Sequence, residues 1–207
     1  MKNLLTILAA SVLVLGACST PTAPEYDPRP AYDSDLNNGW DKFSAGGFGL
    51  AAIEFRNALD LDSRRQWPDA YIGLAWSLAM QDSVDRAISH FTTALIKEPA
   101  SGADSASVFD GLGLSYREVS PPNFPQVRAN TQSALAIDSL FVFQHRSSIN
   151  FEDLYAVLAE AFFNIGEYDS AAVLVHPAGT LDTLSTGYLT DLLTKINLKL
   201  MLSREGG

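Results

Sequence analysis

Two patterns of apolar residues divide the chain. The first is an apolar run from Leu4 to Leu15, behind the single charge of Lys2. At about a dozen residues it falls short of the roughly 20 needed to cross about 30 Å of hydrocarbon. The second begins after Asp33, where apolar positions recur at helical spacing and small or turn-forming residues separate the stretches. This periodicity predicts helices over 35–45, 48–61, 68–80, 83–97, 105–118, 126–138, 150–164, 167–176 and 186–202. Pro68 suits the first turn of its helix, and Asn150 ahead of Phe151-Glu152-Asp153 reads as a capping residue followed by acids that favour a helix N-terminus.

The helical region repeats itself. Gly39, Gly46, Phe48, Ala51, Phe55 and Ala58 correspond to Ala75, Asp82, Val84, Ala87, Phe91 and Ala94, and every pair has the same offset. The same order returns at Leu158-Ala159, Phe162, Gly166, Tyr168, Ala171 and Val175. A looser copy at Leu112-Gly113, Tyr116, Val127, Ala134 and Asp138 is stretched by an insert around Pro121, Pro122 and Pro125. The pattern resembles the tetratricopeptide repeat, a pair of antiparallel helices of about 34 residues with small residues at the helix crossing. Close packing explains it: Gly39, Ala75, Gly113 and Ala159 let paired helices approach while Phe55 and Phe91 fill the gap behind. Gly46 and Gly166 fall where a helix ends in a left-handed turn, a position that Asp82 takes in the second unit.

The resemblance implies an all-α fold, an α-solenoid of about four tetratricopeptide-like helix pairs over residues 34–180. The segment 181–207 is expected to supply a C-terminal helix whose Leu189, Leu192, Leu193, Ile196 and Leu200 cap the last repeat.

The first 17 residues read as a secretory signal peptide, with a charged start, a short apolar core and small residues before the cut. Leu15-Gly16-Ala17-Cys18 resembles the lipobox of bacterial lipoproteins, and Cys18 is the only cysteine in the chain. That resemblance implies cleavage before Cys18 and attachment of acyl chains such as palmitate to the new N-terminus. Two or three chains anchor stably where one is marginal. Ser19, in place of an acidic retention signal, implies the outer membrane, facing the periplasm. Residues 18–33 carry four prolines and no periodicity, which predicts an extended tether up to the first helix.

Without the leader, 13 basic residues stand against 24 acidic ones, a net charge of −11. Nucleic acid as a partner is excluded by the lack of a basic surface, and the membrane contact is left to the lipid. Loss of Cys18 to acylation leaves no thiol for a disulfide, a zinc ribbon or a cysteine nucleophile. His90, His145 and His176 are isolated, there is no GxSxG elbow, and Gly111-Leu-Gly113 lies within a helical pattern without a preceding strand. Neither an enzymatic activity nor a cofactor or metal site is expected.

The stronger signal is apolar surface. The helix at 68–80 carries one stripe at Tyr71, Leu74, Ala75 and Leu78, and another at Ile72, Trp76, Ala79 and Met80. The resemblance places the second stripe on the concave side. Trp40 is equivalent to Trp76, and Phe43 and Phe163 are expected on the same side. Trp40, Phe43, Ile72, Trp76, Met80 and Phe163 would then line a groove for an apolar peptide or helix, unless the chain fills the groove itself. The expected function is a membrane-anchored, non-catalytic interaction protein of the bacterial cell envelope that binds an envelope protein or peptide. The alternative is an envelope lipoprotein that binds or cleaves carbohydrate through its aromatic rings and abundant acids.

Overall fold

A computed structural model describes residues 26–97, 102–175 and 186–205. Cys18 and its lipobox, Pro99 and His176 lie outside them. Among the described residues, nine helices run in chain order: α1 (Arg29–Ser44), α2 (Phe48–Leu61), α3 (Asp69–Ala79), α4 (Val84–Lys97), α5 (Gly102–Glu118), α6 (Phe124–Ile137), α7 (Phe151–Asn164), α8 (Tyr168–Val175) and α9 (Tyr188–Glu205). They pack as successive antiparallel pairs, each against the next, with α9 laid over α7 and α8. None of these helices is long and apolar enough to cross a membrane.

The packing rule read from the small residues is visible at atomic contact. Phe55, fully buried on α2, is wedged between α1 and α3. A methyl group on Gly39 would stand 2.5 Å from its ring, and one on Gly73 would stand 2.3 Å away. Phe91 on α4 fills the equivalent gap one repeat later, where a methyl on Gly111 of α5 would lie 2.2 Å from the ring. The glycines are therefore required by closeness of approach, since only a bare backbone lets a phenyl ring reach the neighbouring helix axis.

Three of the pairs turn in the same way. Gly47 N–H donates to Lys42 C=O at 2.8 Å, Ser83 N–H to Leu78 C=O at 3.0 Å, and Glu167 N–H to Phe162 C=O at 2.8 Å. The residue before each donor is left-handed: Gly46 at φ 79°, Asp82 at 55° and Gly166 at 84°. This is the six-to-one closure that ends many helices. Asp82 stands in for a glycine there, at the expense of crowding its own Cβ.

The first helix begins at Arg29, inside the stretch expected to be tether, so that the expected boundary at 33/34 is too late. Pro28 precedes the first turn and Pro30 lies within it. Neither breaks the helix, because the first N–H groups of a helix have no intrahelical acceptor to lose. Burial holds this turn in place. Tyr32 is fully enclosed, its hydroxyl accepts from Ala70 N–H at 3.1 Å, and its ring meets Trp67 edge-on at 4.5 Å. Arg29 caps that pair, its guanidinium 4.6 Å from the Trp67 ring. Trp67 is thus a packing residue at the junction of the first two repeats.

The stretched third unit is a complete helix pair, α5 and α6, joined through Pro121 and Pro122 around a cis Ser120–Pro121 bond. Asn123 caps α6, accepting from Gln126 N–H. Ion pairs Lys42–Glu54 and Arg117–Glu160 tie α1 to α2 and α5 to α7. At the far end Leu192, Ile196 and Leu200 of α9 bury against Val157, Leu158, Phe162 and Ala171, which closes the last repeat.

Candidate functional site

The connection between α6 and α7, residues 138–150, does not run over the surface as a loop of the repeat would. It folds into a short hairpin: Phe151 N–H donates to Phe141 C=O at 2.7 Å, Phe143 N–H to Ile149 C=O at 2.9 Å, and Ile149 N–H to Arg146 C=O at 2.9 Å. Val142 and Asn150 form a bridge across it. Asn150 also anchors the root of the hairpin. Its side chain accepts from Glu152 N–H, and Asp153 accepts from Asn150 N–H, closing a capping box on α7.

Extended backbone sends alternate side chains to opposite faces, and the hairpin uses this fully. Phe141 and Phe143 are buried, whereas Val142 and Gln144 beside them are exposed. The inward residues enter the groove expected from the sequence. Phe143 stacks on Trp76 with centroids 4.4 Å apart and planes 23° apart. It meets Trp40 and Phe43 edge-on at 6.0 and 5.9 Å. His145 lies flat on Trp40, 3.8 Å away at 3°. Arg146 follows with its guanidinium 5.6 Å from the Phe48 ring.

Five of the six groove residues expected from the sequence belong to this region of the core. Trp76 is wholly buried, with Nε1–H donating to Ser107 Oγ at 2.9 Å. Phe43 and Ile72 are buried, Trp40 is half-buried, and Met80 at the end of α3 packs on the same cluster half-covered. Phe163 is not among them. It sits on α7 in the second core cluster and meets Tyr168 at 5.3 Å. Placing it in the groove extrapolates across the third unit, whose long connections break the repeat register. The repeat pattern also does not reach the inserted residues Phe141, Phe143 and His145. Their signal is a row of aromatic rings at every second position, in a connection too long for a repeat turn.

A cavity of about 330 Å³ remains beside the inserted hairpin, with Trp40 and Ile72 on one wall and Phe143 and His145 on the other. Its polar rim carries three carboxylates, Asp69, Asp104 and Asp138. Burial pushes the Asp69 carboxyl above the usual carboxylate range, and the nearby Asp104 charge adds to this. Burial lowers His145, against a smaller opposite pull from Asp104. The site thus offers flat aromatic faces and an acidic rim, which together favour an aromatic or aliphatic group carrying a cation.

One further titratable group is unusual. Asp110 on α5 is enclosed, its Oδ2 has no hydrogen-bond partner, and burial together with the Asp153 charge drives its carboxyl well above the ordinary range. It does not line the cavity. Among the described residues no group of three histidines, cysteines or carboxylates is placed to hold a metal ion.

No protein-family model matches the chain, and no curated protein matches it. Solved structures do resemble it. MamA shares 18% identity at a TM-score of 0.54, over 82% of this chain and 81% of that one. TTC0263, a thermophilic TPR protein of Thermus thermophilus, shares 17% at 0.40 over 82% and 99%. PilF of Pseudomonas aeruginosa shares 13% at 0.39 over 85% and 90%. At such identities the likeness is one of fold, and the MamA superposition alone is strong enough to bear on it. With the helix order and the repeated turns, it identifies the chain as an all-α, tetratricopeptide-like solenoid of helix pairs.

Proposed function

We propose that this chain is a non-catalytic interaction protein of the bacterial cell envelope, anchored by acyl chains on Cys18 and binding a protein partner through the groove at Trp40 and Trp76. The observation that carries the reading is the groove itself, because two helix pairs converge there on aromatic rings beside an acidic cavity. Aromatic anchors in a concave, partly desolvated pocket are the usual centres of binding energy. The leader and Leu15-Gly16-Ala17-Cys18 support the address, and Ser19 supports outer-membrane sorting. The carbohydrate alternative is the weaker reading. The groove already holds protein side chains, Phe143 on Trp76 and His145 on Trp40, which are groups of the kind that a protein partner would supply and a sugar would not.

Two measurements test the proposal. Intact-mass analysis of the mature N-terminus in a bacterial host is expected to show acylated Cys18, and Cys18→Ser to leave the chain unanchored. A photo-cross-linker at Asn37, exposed on the cavity rim, is expected to trap an envelope protein. An unmodified N-terminus overturns the anchor. Cross-linking no stronger than from an outward position such as Asp60 overturns the groove.

A further inference from the structure

The hairpin 141–150 is made like a bound peptide. It is extended, it sends alternate side chains inward, and its backbone hydrogen bonds among residues 141–151 are internal. What holds it to α1 and α3 is side-chain stacking: Phe143 on Trp76 and His145 on Trp40. A segment attached to α1 and α3 mainly by side-chain contacts, and closed by its own hydrogen bonds and one from Phe151 N–H at the start of α7, can swing out without unpairing the backbone of α1 or α3.

We propose that residues 141–146 are an internal occupant of the partner site, displaced when the partner binds. This rests on the reading of the groove as the partner surface. The internal occupant then defines the chemistry of the external one: an extended protein segment with aromatic residues at alternate positions, followed by a cation. Phe141, Phe143 and His145 set the aromatic spacing, and Arg146 sets the cation. Arg146 itself lies over Phe48 and does not line the cavity, whose rim carries the carboxylates of Asp69, Asp104 and Asp138 and would favour a second basic group on the partner. A bound state that must first expel its own segment has an affinity reduced by the fraction of molecules already open. The hairpin would therefore tune how readily the partner binds.

The test uses the full mature chain and a fluorescein-labelled peptide, Leu-Phe-Val-Phe-Gln-His-Arg-Ser, copied from residues 140–147. In polarisation titrations the double variant Phe143→Ala/His145→Ala is expected to bind the peptide at least tenfold tighter than the native chain, and to ignore a peptide with both phenylalanines replaced by alanine. Equal affinity for both chains, or equal binding of the two peptides, overturns the proposal. Hydrogen exchange on the native chain decides the matter even if the variant misfolds. The amides of Phe143 and Ile149 are expected to exchange at least a hundredfold faster than those of Leu74–Leu78 in α3. Equal rates would mean that the hairpin leaves only on global unfolding, and would overturn displacement. Cross-linking at Asn37 separates the two readings. A partner trapped equally well by the native chain and the double variant keeps the groove reading and removes the displacement. Peptide exchange without any trapped partner does the reverse.

Discussion

Phe143 of the α6–α7 hairpin and Trp76 of α3, far apart in the chain, lie ring on ring 4.4 Å apart with planes 23° from parallel. The contact seals an indole that would otherwise face the inner side of the solenoid, and it distinguishes two kinds of buried phenylalanine. Phe55 is enclosed between helices that cannot separate without losing the fold, whereas Phe143 is brought in by a connection. Phe55→Ala is expected to lower stability by about 3–5 kcal/mol, and Phe143→Ala by only about 1–2 kcal/mol, because the helices stay paired when the hairpin loosens. Urea midpoints measure the difference. Equal losses would make the hairpin part of the indivisible core.

The helix crossings are tight enough to be tested by single methyl groups. Gly73→Ala and Gly111→Ala bring a Cβ to within 2.3 and 2.2 Å of Phe55 and Phe91 respectively, and overpacking of this kind typically costs about 1–3 kcal/mol. Thermal melts are expected to show that loss, and Gly111→Ala combined with Phe91→Leu to recover part of it. Additive losses in the double variant would show that the ring is not what the methyl strikes.

Asp82 occupies the left-handed position that Gly46 and Gly166 hold in the other units. Asp82→Gly is expected to stabilise by about 0.5 kcal/mol, the relief of Cβ crowding exceeding the entropy lost by glycine, while Gly166→Ala is expected to cost about 1 kcal/mol. Denaturant titration of the two variants checks the opposite signs.

Much of this is legible in the chain. Gly39 against Phe55, and the turns at Gly46 and Gly166, are local rules in which a small residue, an aromatic ring and a left-handed turn recur at fixed spacing. The predicted helix ends, the start of the first excepted, agree with the structure within about three residues for the same reason. The start of α1 is hidden because Pro28 and Pro30 read as breakers in an isolated segment, and as first-turn residues only when Tyr32 is known to bury against Ala70 and Trp67. The occupant of the groove is hidden more deeply. Nothing local links Phe143 to Trp76 or His145 to Trp40, and the register that puts Phe163 beside them does not survive the long connections of the third unit.

Asp110 gives the stability a pH dependence of definite sign. Its folded-state pKa is raised, so its contribution is fully present below the unfolded value near 3.8 and is lost as pH rises through the folded value. Asp110→Asn removes the ionisation. The variant is expected to be more stable than the native chain at pH 7, by roughly 1–3 kcal/mol, and indistinguishable from it near pH ~3.5. Parallel stability profiles across that range would mean that the carboxyl remains ionised in the folded chain.

His145 gives the opposite slope. Its folded-state pKa is lowered from 6.5, so the stacking on Trp40 is held above that value and is lost as pH falls through the folded one. Acrylamide quenching is expected to rise on acidification from about pH 7 to about pH 5 in the native chain, and His145→Gln to flatten the curve. His90, also lowered by burial, sits against Tyr71 and serves as the control through His90→Gln.

Stacked repeats ordinarily behave as a row of dominoes, each energetically aware only of the one beside it. The contact of Phe143 and His145 with Trp40 and Trp76 bends that row back upon itself, so that α1 feels what happens after the sixth described helix. Peeling from the N-terminal end is thereby penalised until the clasp lets go. With the clasp shut, the first three pairs should melt in a single cooperative step, and with it open they should come apart one after another.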